Sequence, residues 1–144
     1  MSFLCSLVVA AGLSVTPLPL PSAQTVAEVL LFRTALPAFV ATADSTEHDV
    51  RLDWSTDGCS APVVQSTGRS FDFYNACRRH DFGYRNMSRL KNGRLWSETL
   101  RLRIDGQFRK DARASCTSKL QLTKVQCLAW AETYFRAVRS FGAP

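Results

Sequence analysis

The chain has 144 residues, a formal net charge of +6 and 46% hydrophobic residues, which allows one domain with a substantial core and excludes two comfortable ones. Across residues 78–113 eleven Lys or Arg face four acids, a local balance of +7, so the rest of the chain is slightly acidic. Five cysteines without a CxxC pair argue against a zinc site.

In chain order, residues 1–15 are apolar and uncharged, and the run breaks at a proline-rich patch ending Pro21-Ser22-Ala23. This pattern predicts a secretory signal peptide over 1–23, cut near Ala23. A membrane anchor is the weaker alternative, because the run falls short of the about 18 to 20 apolar residues that span a bilayer. A buried N-terminal strand is weaker still. Export leaves Cys59, Cys77, Cys116 and Cys127, an even set that reads as two disulfides with three possible pairings. Residues 24–52 form a separate N-terminal segment: an apolar run over 26–40 that contains Pro37, then polar residues. It is either a first helix with a loop or a propeptide and its junction.

Residues 53–62 and 63–69 are rich in turn formers and read as loops. Ser70 is a candidate N-cap, with Asp72 in the first turn, so a helix is predicted over 71–86. Asn92-Gly93 marks a turn. A helix over 96–115 follows, its face made of Leu102, Asp105, Phe108, Arg109, Ala112 and Cys116 at three- and four-residue spacing. A last helix is predicted over 122–141, with Val125, Leu128, Ala129 and Phe135 as its apolar positions. The class is all-α.

Cys77, His80, Asp81 and Tyr84 follow an i, i+3, i+4, i+7 pattern and share one face of the first of these helices. A disulfide at Cys77 would tether that face, and the nearest candidate partner is Cys59. That pairing would bring Asp57 and the Gly58 carbonyl close to Asp81, the oxygen-donor set that a hard cation such as Ca²⁺ takes. Asp105 on the next helix is a candidate to accept a hydrogen bond from His80 and leave its other nitrogen free as a base. Such parts suit attack by water on an ester. The plainer alternatives are a structural or solvated His-Asp pair, and an Asp105 that merely pairs with Arg101 or Arg109 along its own helix. Arg78 and Arg79 read as solvated or lipid-facing surface.

The blocks DWSTDGCS (53–60), FDF (71–73), ACRRHDFGYRN (76–86) and RID (103–105) resemble the secreted phospholipases A2 of bacteria and fungi. The resemblance spans residues 53–142, and the 76–86 block is highly specific. It implies a small helical phospholipase A2 domain over 53–144, with two antiparallel central helices and two disulfides, Cys59 with Cys77 and Cys116 with Cys127. It implies Ca²⁺ dependence and hydrolysis of the sn-2 ester of glycerophospholipids. His80 looks like the general base and Asp105 like the acid that orients it, while Asp57, the Gly58 carbonyl and Asp81 resemble the calcium ligands.

The expected partner is a phospholipid membrane surface or micelle, met by a secreted monomer, with the basic segment favouring anionic lipid. Two other classes compete. A non-catalytic secreted lipid-binding or membrane-perturbing protein has no chemical need for His80, Asp81 and Asp105 together. A basic nucleic-acid binder lacks the pattern of stacking aromatics and basic residues, so no nucleic acid is expected.

Overall fold

Ser22 opens the first helix: its side chain accepts the Thr25 N–H at 3.1 Å, answering one of the donors that a helix start leaves without partners. The computed structural model describes residues 19–58 and 71–142. Within them the helices are α1 (Ala23–Phe32), α2 (Leu36–Asp44), α3 (Tyr74–Arg89), α4 (Glu98–Ala114) and α5 (Gln121–Phe141), with no strand among the described residues. Pro37 sits in the first turn of α2, where its missing N–H costs nothing, so it separates two helices within the apolar run. A tight turn, Leu90–Gly93, leads out of α3, with Lys91, Asn92 and Gly93 all at positive φ. Ser97 caps α4 by accepting the Leu100 N–H at 3.1 Å.

Helix boundaries move by a few residues from those expected. The helix predicted over 71–86 runs Tyr74–Arg89: Asp72 is not in its first turn but caps from outside, accepting the Tyr74 N–H at 2.8 Å. Ser70, Cys59 and residues 1–18 lie outside the described residues, and with them the predicted cap, the expected Cys59–Cys77 pairing and most of the predicted signal peptide. Cys116 and Cys127 are bonded across a Cα separation of 5.7 Å, and Cys77 is buried and disulfide-bonded.

Helices α3, α4 and α5 run antiparallel in turn. Tyr84 meets Arg101, His80 meets Asp105 and Arg79 meets Asp111, so rising numbers on α3 match falling numbers on α4. The same reversal joins Asp105 to Arg139, Arg109 to Glu132 and Cys116 to Cys127. One core gathers Phe73, Cys77, Phe108, Ala112, Ala131, Tyr134 and Val138 between these helices. A second joins α1 and α2 to α3 and α4 through Ala27, Leu31, Phe39, Phe82, Met87 and Ile104. Residues 24–52 thus contribute two helices to the interior, Leu31 and Phe39 being almost wholly buried. Gly83 lets α1, α3 and α4 approach closely, since a Cβ there would lie 2.8 Å from both Ile104 Cγ2 and Leu31 Cδ2.

The expected face of α4 turns inward at Asp105, Phe108, Ala112 and Cys116 and faces out at Leu102, whereas the apolar face of α5 is rotated from the one expected. Leu102 is 52% exposed and Val125 is 62% exposed, and Ala129 also faces out. The buried stripe of α5 is instead Cys127, Ala131, Tyr134, Ala137 and Val138, because the Cys116 tether and the packing of Tyr134 against Phe73 fix which side turns inward. No helix among the described residues is long and apolar enough to cross a membrane.

Arg79 departs furthest from its expected place. It is 2% exposed, forms a short two-point ion pair with Asp111, and donates to the carbonyl of Thr34 beyond α1. It is therefore interior, not lipid-facing, and ties α1, α3 and α4 together. Arg78 is partly exposed and pairs with Asp44 at 2.8 Å. Removing one member of a buried pair leaves the other charge without an answer. Arg79→Met should lower unfolding free energy by about 3 kcal/mol, and Arg79→Met with Asp111→Leu should recover part of that loss. Chemical denaturation measures both, and a single mutant of wild-type stability would contradict the assignment.

Candidate active site

His80 occupies the middle of α3 between the two cores, with Cys77 on one side along the helix and Phe82 on the other. Its ring packs 4.3 Å from Tyr84 and 5.4 Å from Phe108, and the residue is 6% exposed. Asp105, one helix away, is 0% exposed. The two meet as expected: His80 Nε2 lies 2.8 Å from Asp105 Oδ1. An ionised carboxylate only accepts, so Nε2 carries the proton and the neutral ring presents Nδ1 as an acceptor. Nδ1 stands 4.0 Å from Asp81 Oδ1.

Asp105 collects further donors. Tyr84 Oη donates to Oδ1 at 2.7 Å, and Arg139 Nη1 from α5 donates to Oδ2 at 2.7 Å. Burial alone would raise the Asp105 pKa, but the hydrogen bonds of His80, Arg139 and Tyr84 outweigh it and hold the carboxyl below its ordinary range. Burial pulls His80 down, yet Asp105 and Asp81 more than offset this and the net shift is upward. Tyr84 is raised well above the usual phenol range, by burial first and then by the Asp105 carboxylate, so it stays a donor. Asp105 forms no pair along its own helix: Arg109 is taken by Glu132 at 2.8 Å, and Arg101 donates to Tyr84 Oη at 3.1 Å and to the Arg139 carbonyl at 2.6 Å.

The second group lies where the 53–58 segment crosses α3. Asn86, wholly buried, accepts the Asp53 N–H at 2.8 Å and donates to the Asp53 carbonyl at 2.8 Å, pinning the segment. Further along, Asp81 Oδ2 accepts from Thr56 Oγ1 at 2.5 Å, the Asp57 N–H at 3.1 Å and the Gly58 N–H at 3.3 Å. Gly58 takes φ +70°, which glycine adopts without a steric cost. Asp57 and Gly58 therefore lie beside Asp81 through their backbone N–H groups. The Asp57 carboxylate itself turns to Arg85, at 3.4 Å and largely in solvent, and among the described residues no group of three or more His, Cys, Asp or Glu side chains is arranged to hold a metal ion.

The comparisons fit this geometry. The family model for prokaryotic phospholipase A2 matches residues 27–142. The chain belongs to the prokaryotic phospholipase A2 family. A "Secretory phospholipase A2" of Beauveria bassiana (strain ARSEF 2860) is 37% identical over 141 residues, covering 98% of this chain and 70% of that protein. Another "Secretory phospholipase A2", of Arthroderma benhamiae (strain ATCC MYA-4681 / CBS 112371), is 34% identical over 120 residues, covering 81% and 77% respectively. The family match begins inside α1, so it takes in most of the segment ahead of residue 53.

Sequence reasoning placed Tyr84 on the right face without giving it a task, although its i+4 spacing from His80 carried the signal. It weighed Arg101 only as a partner of Asp105 along the helix, gave Asn86 no task within the 76–86 block, and missed Arg139, which does not stand out locally. Tyr84→Phe removes a hydrogen bond to a buried carboxylate and should cost about 1.5 kcal/mol of stability, read by thermal or urea unfolding. Stability equal to wild type would show that this hydroxyl is not needed to satisfy Asp105.

Proposed function

We propose that this member of the phospholipase A2 family is a secreted, calcium-dependent hydrolase that cleaves the sn-2 ester of glycerophospholipids to lysophospholipid and free fatty acid. The observation that carries the proposal is a buried imidazole whose Nε2 is held by a carboxylate while its Nδ1 remains an acceptor facing Asp81. His80 Nδ1 takes a proton from water as the water oxygen attacks the ester carbonyl, then returns it to the leaving glycerol oxygen. Asp105 holds the ring in the tautomer this requires and stabilises the imidazolium between the two transfers.

The donor chemistry at the 53–58 segment fits a hard cation. Asp57 and Asp81 carry carboxylates and Gly58 a backbone carbonyl, oxygen ligands of the type Ca²⁺ takes, on a segment whose Asp57 and Gly58 N–H groups reach Asp81 Oδ2. Asp57, Asp81 and the Gly58 carbonyl would hold Ca²⁺, which when bound polarises the ester carbonyl and stabilises its oxyanion. For Asp57 this requires release from Arg85, an exposed contact that costs little to break. Secretion follows the relatives named as secretory and the apolar leader over 1–23, which would leave residues 24–52 as part of the working enzyme. The monomer meets lipid at a membrane surface or micelle, and no nucleic acid enters the account.

EDTA should abolish fatty-acid release from phospholipid vesicles, and added calcium should restore it. His80→Ala should remove release by at least about a thousand-fold, the scale on which a catalytic base contributes, while circular dichroism stays that of the wild type. Release that persists in either case would sink the mechanism, and vesicle binding without release in the wild type would support a non-catalytic lipid binder instead.

The basic segment is a weaker guide to lipid than its +7 suggests. Arg79 is buried against Asp111, Arg109 and Arg113 share Glu132, and Arg103 lies over the Phe32 ring. The charge left over still favours anionic lipid, so raising ionic strength should weaken binding to anionic vesicles more than to zwitterionic ones in a sedimentation assay. Equal salt dependence on both would contradict this.

A further inference from the structure

Asp105 has a partner that orienting His80 does not by itself explain. Arg139 lies 34 residues further along the chain, near the end of α5, and donates from Nη1 to Asp105 Oδ2 at 2.7 Å. Its Nη2 forms a short ion pair with Glu98 in the first turn of α4. Its backbone is held as well, since Arg101 Nη2 donates to the Arg139 carbonyl at 2.6 Å while Arg101 Nε donates to Tyr84 Oη at 3.1 Å. One planar guanidinium thus bridges two acids of α4 and is fixed at both ends.

The distribution of donors on Asp105 gives this bridge a consequence. Oδ1 takes both His80 and Tyr84, and Oδ2 takes Arg139. The terminal torsion of an aspartate is broad, so donors on one oxygen alone leave the carboxylate plane free to swing. A guanidinium on the other oxygen removes that freedom with a rigid fork that never loses its charge.

We propose that Arg139 is a positioning residue for the His80–Asp105 pair: by occupying Oδ2 it fixes the carboxylate plane, which reserves Oδ1 for His80 and keeps Nδ1 turned toward Asp81. The kinetic part of this proposal rests on the phospholipase A2 reading above. The competing role is a structural tie between α5 and α4, which would change stability and leave the chemistry alone.

Arg139→Met and Arg139→Lys, made in the full protein, separate these roles. Arg139→Met should lower kcat on phospholipid vesicles about ten- to hundred-fold, the range in which loss of an orienting partner falls, with KM and calcium affinity within about two-fold of wild type on the same scale. Arg139→Lys, which keeps the charge and gives up the planar fork, should fall between the two. Imidazole ¹⁵N shifts of neutral His80, assigned against His80→Ala, should move from the Nε2–H tautomer toward a mixture in Arg139→Met. In an Asp105→Asn background, Arg139→Met should cause no further loss of kcat, because the residue through which it acts is already impaired. Wild-type kcat with the wild-type tautomer in either variant would overturn the proposal, as would full multiplicative loss in the Asp105→Asn background. Should the wild type release no fatty acid, the reaction assigned above fails, while the His80 tautomer still decides whether Arg139 positions the pair.

Discussion

A carboxylate with no exposed surface must have its charge answered from inside the protein, and Asp105 imposes that demand on everything around it. Left alone, such a group would cost several kcal/mol to bury. Three donors answer it: His80 and Tyr84 from α3, and Arg139 from α5. The antiparallel packing of α3, α4 and α5 is what brings residues 25 and 34 positions away from Asp105 to the same two oxygens. Close approach is needed for this, and glycines allow it at two points. A Cβ on Gly83 would meet Ile104 and Leu31 at 2.8 Å, and one on Gly142 would lie 3.1 Å from the Tyr84 hydroxyl. The same donors that make the burial tolerable set the histidine tautomer, so stability and chemistry draw on one set of contacts.

A second polar group frames the site from the other side. Arg79 on α3 and Asp111 on α4 form a buried pair, and Arg79 also reaches the Thr34 carbonyl beyond α1. The N-terminal helices are joined to α3 and α4 through this contact, as well as through Phe39, which stacks edge-on to Phe82 at 5.3 Å. Trp54 packs on both rings of that pair. Through Trp54 and Asn86 the same packing fixes where the 53–58 segment crosses α3, and hence which loop residues lie beside Asp81. Segment 24–52 therefore supports the site without supplying a residue to it.

What could be read from the chain depended on the range of the signal. The i, i+3, i+4, i+7 pattern of Cys77, His80, Asp81 and Tyr84 is local, and the helix delivers it directly. Asp105 was legible as a polar residue set into an apolar face, an inconsistency that burial with partners resolves. Arg139 left no such trace, because an arginine near a helix C-terminus is ordinary and its partner lies on another helix. Arg79 was misplaced for a related reason: a charged residue beside another in a basic run looks solvated unless Asp111 and the Thr34 carbonyl are already known to be near. The rotation of α5 was likewise invisible, since Val125 and Ala129 are as apolar as Ala131 and Val138, and only the Cys116 tether and the Tyr134 contact decide which side faces in.

The buried His80–Asp105 pair, next to the 53–58 segment, is proposed to hydrolyse one particular ester. Phospholipid vesicles labelled differently in the two acyl chains, incubated with the protein with and without calcium, test it most directly. The sn-2 fatty acid alone should be released, and only when calcium is present. Release from the sn-1 position, or release that does not need calcium, would contradict it.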